Sequence, residues 1–120
     1  MVGLALTGFV ALSLIAIGVG ALAAPLASSR QYGLVPGDLR ALAFLRAMGA
    51  RDLVIGVLLL LLAAAGRGDL LAWGMAASAV IALVDLAVVW RAGARTAARV
   101  LHAGGAAGLL IAALVIAAGR

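Results

Sequence analysis

From Val2 to Ser29 the chain carries no charged side chain. At about 1.5 Å per residue, a helix over residues 2–24 crosses a hydrocarbon core about 30 Å thick. Further apolar runs cover residues 47–66, 70–90 and 97–118. The second is the short one. Leu53 to Gly66 alone gives about 21 Å of helix, so that span must reach back through Asp52, Arg51 and Met48. Composition points the same way: 68% of residues are hydrophobic and 11% charged, against about 25% charged in soluble domains. A soluble chain of this length has too little interior to hide so much apolar surface. The expected fold class is all-α: one integral-membrane domain over residues 1–120, a four-helix bundle with the lipid bilayer as its first partner.

The connections follow from turn and charge chemistry. Ala21-Leu22-Ala23 looks like a signal-peptide cleavage site, but no basic residue precedes the apolar run and the run is long, so it is read as a retained span. Pro25 ends it. Residues 27–36, with Ser28, Ser29, Arg30, Gln31 and Gly33, read as loop. Asp38, after Pro36-Gly37, is placed to cap a helix. Leu39 to Arg46 alternates apolar residues with Arg40 and Arg46 and reads as a short interfacial helix that runs into the second span. Gly66-Arg67-Gly68-Asp69 makes one tight turn, and residues 91–95 with Gly93 make another. Trp73 and Trp90 fall near the two ends of the third span, as interfacial indoles do. Arg30, Arg40, Arg46 and Arg51 precede the second span, and Arg91, Arg95 and Arg99 precede the fourth. The opposite side has Arg67 and Arg120. The positive-inside rule then predicts N-out/C-out topology, a multi-pass protein of the inner (cytoplasmic) membrane with its basic loops cytoplasmic.

The net charge is +5, yet the arginines sit at the ends of apolar runs instead of forming a basic face with interleaved aromatics. No nucleic-acid partner is expected. The chain has no Cys, which excludes disulfides, thiolate catalysis and thiolate metal sites. One His and two Asp without close spacing do not make a metal pattern. No cofactor is implied.

Ionisable groups at a bilayer centre cost about 2.5–3.5 kcal/mol or more, so those that persist mark a site, a relay or a structural lock. Four stand out: Arg51, Asp52, Asp85 and His102. The arginine topology places all four toward the same membrane face. Asp85 lies six residues before Arg91, about 9 Å inside it. A carboxylate at that depth is protonated, paired or facing water. It serves either as a general acid or base, or as the partner of Arg51 or Arg46 in a register-fixing ion pair. Neighbours on a helix point about 100° apart, so Arg51 and Asp52 are not expected to pair with each other. His102, the sole His, can move a proton near neutral pH when a carboxylate orients it. The candidate catalytic residues are Asp85, His102 and Asp52. The candidate ligand-binding residues are Arg51, Arg46 and Ser78, the last sharing a helix face with Met75, Ala82 and Asp85. Small residues also recur at helical spacing. Thr7, Ala11, Gly18 and Ala21 share a face of the first span, and Gly104 and Gly108 form a small-xxx-small pair suited to helix packing or to a homo-oligomer.

Phe44-Leu45-Arg46-Ala47-Met48-Gly49-Ala50-Arg51-Asp52, followed by Gly56 and a Leu run, resembles the R-x-x-G-x-R-D-x-x-x-G segment of the small bacterial membrane proteins grouped as domain of unknown function 4267. Asp85 through Val89, His102 and the Tyr32-Gly33 pair match the same pattern, and the resemblance covers nearly the whole chain. It implies a four-span helical bundle and carries no assigned activity. More distantly, the layout is similar to DoxX-like membrane proteins. Small multidrug transporters have a similar size and span count, but they centre on a Glu in the first span, and this chain has no Glu. The expected function is acid–base isomerisation or cyclisation of a lipophilic small molecule. The alternatives are a non-catalytic accessory or scaffold subunit, and a proton-coupled carrier acting as an oligomer.

Overall fold

A computed structural model of the chain describes residues 1–33 and 40–119. Asp38 and the Pro36-Gly37 turn lie outside the described residues. Five helices follow one another: α1 Val2–Ala23, α2 Pro25–Gln31, α3 Ala41–Ala64, α4 Gly68–Arg91 and α5 Thr96–Ala118. Four of them, α1, α3, α4 and α5, are long and apolar enough to cross a membrane. Large apolar side chains such as Phe9, Trp73 and Leu114 stand exposed, as a lipid-facing surface requires. The fold fits an integral membrane protein.

A separate short helix, α2 at Pro25–Gln31, also precedes the second span. Pro25 does two things at once. It pushes Ala24 out of helical geometry, to φ −134° and ψ 64°, which stops α1. It then serves as the first residue of α2, where a missing N–H costs nothing. Pro25, Ser28 and Ser29 are buried, so packing holds as helix a stretch whose polar residues read as loop. Residues 41–46, expected as an interfacial helix that runs into the second span, are the opening turns of α3. Nothing between Arg46 and Ala47 breaks a helix, so the two segments fuse.

Most of the interhelical contact lies within two pairs, α1 with α3 and α4 with α5; the pairs touch each other far less. The α1–α3 pair is close because its facing residues are small. The buried stripe of α1 is Thr7, Ala11, Gly18 and Ala21, the expected face. The stripe of α3 is Leu45, Gly49, Asp52, Gly56 and Leu59. A Cβ at Gly18 would lie 2.6 Å from the Gly49 carbonyl oxygen, and one at Gly56 would lie 2.6 Å from that of Ala11. Only glycine permits that approach in lipid, where dispersion rather than the hydrophobic effect draws helices together.

Two buried apolar clusters hold the bundle. One joins Ala11, Leu59, Leu71, Met75, Ala79, Leu109 and Ala112. The other gathers Tyr32, Leu45, Val89, Ala94 and Ala98 around the α4–α5 turn. Gly33, in the left-handed region at φ +74°, lets the chain leave α2 against α5; a Cβ there would lie 2.8 Å from that of Ala98. The functional candidates sit between the two clusters.

Candidate functional site

The stripe of α3 repeats at intervals of four and three, and Asp52 occupies one of its positions between Gly49 and Gly56. The helix therefore turns Asp52 inward wherever it turns Leu45 and Leu59 inward. Asp85 lies about 9 Å inside the Arg91 end of α4, and His102 about as far inside the start of α5. These helices, with α1 and the end of α2, enclose a cavity of about 350 Å³. Leu14, Ile55, Ile81 and Leu109 supply apolar wall, and Tyr32, Arg51, Asp52, Asp85 and His102 supply the polar end. Among the lining residues, Ile17, Gln31, Leu101 and Gly105 are exposed. The mouth thus opens between the α1–α2 segment and α5, on the flank of the bundle.

Arg51 joins the two carboxylates. Its Nη2 stands 2.8 Å from Asp85 Oδ2 and 3.0 Å from Asp52 Oδ1. Its Nε donates to the same Asp52 oxygen at 3.0 Å, and Nη1 reaches Asp85 Oδ1 at 3.5 Å. The expectation that Arg51 and Asp52 would not pair is overturned. Their Cβ directions diverge, but the long Arg51 side chain folds back over Asp52 while reaching for Asp85 on α4. Asp52 and Asp85 side chains are 8% and 15% exposed, while that of Arg51 is 33% exposed. The guanidinium is therefore the wetter side of the cluster.

Tyr32, the only tyrosine, donates from its hydroxyl to Asp52 Oδ2 at 3.3 Å. Burial pushes its phenol above the ordinary range, and the Asp52 and Asp85 charges push the same way. It stays a neutral hydrogen-bond donor throughout the physiological range. Its ring lies 5.0 Å from that of His102, tilted by 47°. Sequence patterning alone did not select Tyr32 as a site residue. Its only signals were its place before a glycine and its match to the family pattern.

His102 lines the cavity, and its ring makes no hydrogen bond to a described residue, which leaves both nitrogens for a ligand or a proton. Ser78 is buried and lines the cavity too, with its hydroxyl donating to the Gly74 carbonyl at 2.8 Å. Arg46 does not join the cluster: it is exposed and is not among the lining residues. Five residues separate it from Arg51, about 140° around the helix, so both cannot face one site. Among the described residues, nothing stands within 4 Å of a Cβ built at Gly104 or at Gly108, so neither is held in a close helix crossing with them. Among the described residues, no three His or Asp groups stand close enough to hold a metal ion.

The sequence profile of one family matches residues 11–116, described as a domain of unknown function, DUF4267. The chain belongs to this family. No curated protein and no solved structure matches it. The DUF4267 match runs from the close-packed face of α1 to the end of α5 and includes every polar residue of the cavity. The family's name assigns no activity to these residues, so their chemistry rests on the geometry.

Proposed function

We propose that the protein takes up a lipophilic small molecule from the bilayer and transforms it by acid–base chemistry, an isomerisation or a cyclisation. The observation that carries this is the cavity itself, apolar along its walls and ending against Tyr32, His102 and two carboxylates. A pocket of this form orients an apolar body and presents its reacting end to a few polar groups. His102 is the proton-transferring group, because its nitrogens are uncommitted. Asp85 is its acidic partner across the cavity, and Asp52 orients the Tyr32 hydroxyl. The arginine-rich segments lie at this end of the bundle, so the positive-inside rule puts the polar end in the cytoplasmic leaflet, within reach of cytoplasmic protons.

One observation favours a second reading. The Arg51–Asp85 pair ties α3 to α4, helices that otherwise share little contact. In that reading the cluster is a polar lock in a non-catalytic accessory or scaffold subunit.

Lipid extraction followed by mass spectrometry separates the two. Gly105 lines the mouth and has open space around a built Cβ, so Gly105→Trp is expected to obstruct the mouth with no clash at the Cβ. The wild type, purified in mild detergent, is expected to carry an enriched lipophilic species that Gly105→Trp has lost. That species, returned to the wild type in deuterated water, is expected to exchange hydrogen for deuterium, and His102→Ala is expected to abolish the exchange. Identical extracts from both proteins would favour the scaffold.

A further inference from the structure

Two carboxylates, Asp52 and Asp85, face one guanidinium at the polar end of the cavity. With both carboxylates ionised and His102 neutral, the lining residues carry one unbalanced negative charge. Tyr32 does not alter this, since it remains a neutral phenol. The other arginines at this end line no part of the cavity. Arg30, Arg40, Arg46, Arg91 and Arg95 are exposed, and Arg99 lies over the Trp90 ring at 4.9 Å.

Arg51 is also poorly placed to receive an anion. Its Nε and Nη2 already donate to the two carboxylates, and Nη1 leans toward Asp85. No parallel pair of N–H groups remains to grip a second carboxylate or phosphate in a fork. The carboxylates, in contrast, keep acceptor capacity. An ionised carboxylate offers about four lone-pair sites, and Asp85 uses two of them on Arg51. Beside them, the Tyr32 and His102 rings also line the cavity, and an aromatic face attracts a cation.

We propose that the lipophilic occupant of the cavity carries a cationic head, an amine or quaternary ammonium, seated between Asp85 and the Tyr32–His102 ring pair. This rests on reading the cavity as a ligand site and specifies its chemical class. It also gives His102 a second role. A proton on His102 and the cationic head are alternative ways to balance the same charge, so they exclude each other. The titratable and charged groups around His102 are Tyr32 at the end of α2, Arg51 and Asp52 from α3 and Asp85 from α4, with Arg99 one turn before it on α5.

The test uses two probes of equal tail length and permanent opposite charge, decyltrimethylammonium and decanesulfonate. Each is titrated calorimetrically into the full chain in phosphatidylglycerol nanodiscs below its micellar concentration, with empty nanodiscs and Gly105→Trp as blanks. The ammonium is expected to bind about tenfold tighter than the sulfonate. That preference is expected to shrink as the pH is lowered and His102 takes up its proton, and to lose that dependence in His102→Gln. Adding phosphatidylethanolamine names the source. Competition assigns the head to a lipid ammonium, and no competition assigns it to a free amine; either result keeps the cationic class. Equal or tighter binding of the sulfonate overturns the charge assignment but leaves the cavity as a ligand site. Saturable binding of neither probe, or the same binding in Gly105→Trp, overturns both.

Discussion

Replacing Arg51 with Ala is expected to destabilise the bundle by about 3 kcal/mol or more, because it leaves two largely buried carboxylates facing each other without a counter-charge. The cost comes less from the lost hydrogen bonds than from the groups left behind. Among the described residues, Asp52 keeps only the Tyr32 hydroxyl, at 3.3 Å, and Asp85 loses both hydrogen bonds that Arg51 gives it. Thermal unfolding in mild detergent is the check, with a fall in Tm of about 10 °C expected for a loss of this size. Two further variants separate charge from packing. Arg51→Lys keeps the charge but cannot hold two carboxylates in a planar fork, so it should fall between the wild type and Arg51→Ala. The triple variant Arg51→Met with Asp52→Asn and Asp85→Asn removes every charge from the cluster and should recover most of the loss, since buried ion groups are often replaceable by neutral ones. If Arg51→Ala unfolds at the wild-type temperature, the cluster is not a buried ion network.

Replacing Gly18 with Leu is expected to part α1 from α3. The new Cβ would lie 2.6 Å from both the Gly49 carbonyl oxygen and the Leu53 backbone nitrogen. Those atoms belong to a helix backbone and cannot rotate aside, so the cost falls at the upper end of overpacking, about 3 kcal/mol or more. Gly49→Leu should do the same from the other side, against Ala21 and Gly18. Gly104→Leu is the matched control. Its built Cβ meets nothing within 4 Å, so within one bundle it should be neutral or slightly stabilising through better helix propensity. Unfolding in detergent reads the first pair. Native mass spectrometry reads the third, where loss of an oligomer would put a subunit contact on that face. Equal stability for Gly18→Leu and Gly104→Leu would contradict the close α1–α3 crossing.

These two variants also mark how far the sequence could be read. The α1 face was legible residue by residue, because small side chains at helical spacing in an apolar segment have one physical use. The extension of the second span back through Asp52 was legible from length alone. The inward turn of Asp52 was not read from the sequence, although it repeats the phase of Leu45 and Leu59. Three features were not visible. The pairing of Arg51 with Asp52 depends on Asp85, thirty-three residues away, drawing the guanidinium across. Arg46 matched Arg51 in composition and rough depth but not in helical phase. Tyr32 reaches Asp52 only because α2 is a helix that packs against α3, and a seven-residue segment of Pro, Ser, Arg and Gln gives no local signal strong enough to predict that. In each case the missing information was the angular placement of a side chain by tertiary packing.

The most direct measurement is photolabelling of the wild type in nanodiscs with a long-chain amine that carries a diazirine in its tail, followed by peptide mapping. A cavity ligand predicts label concentrated on Leu14, Ile55, Ile81 and Leu101, with protection by excess unlabelled amine and loss in Gly105→Trp. Label spread evenly over lipid-facing Leu4, Val80 and Leu114, and unchanged by competitor or by Gly105→Trp, would contradict a ligand site within the bundle.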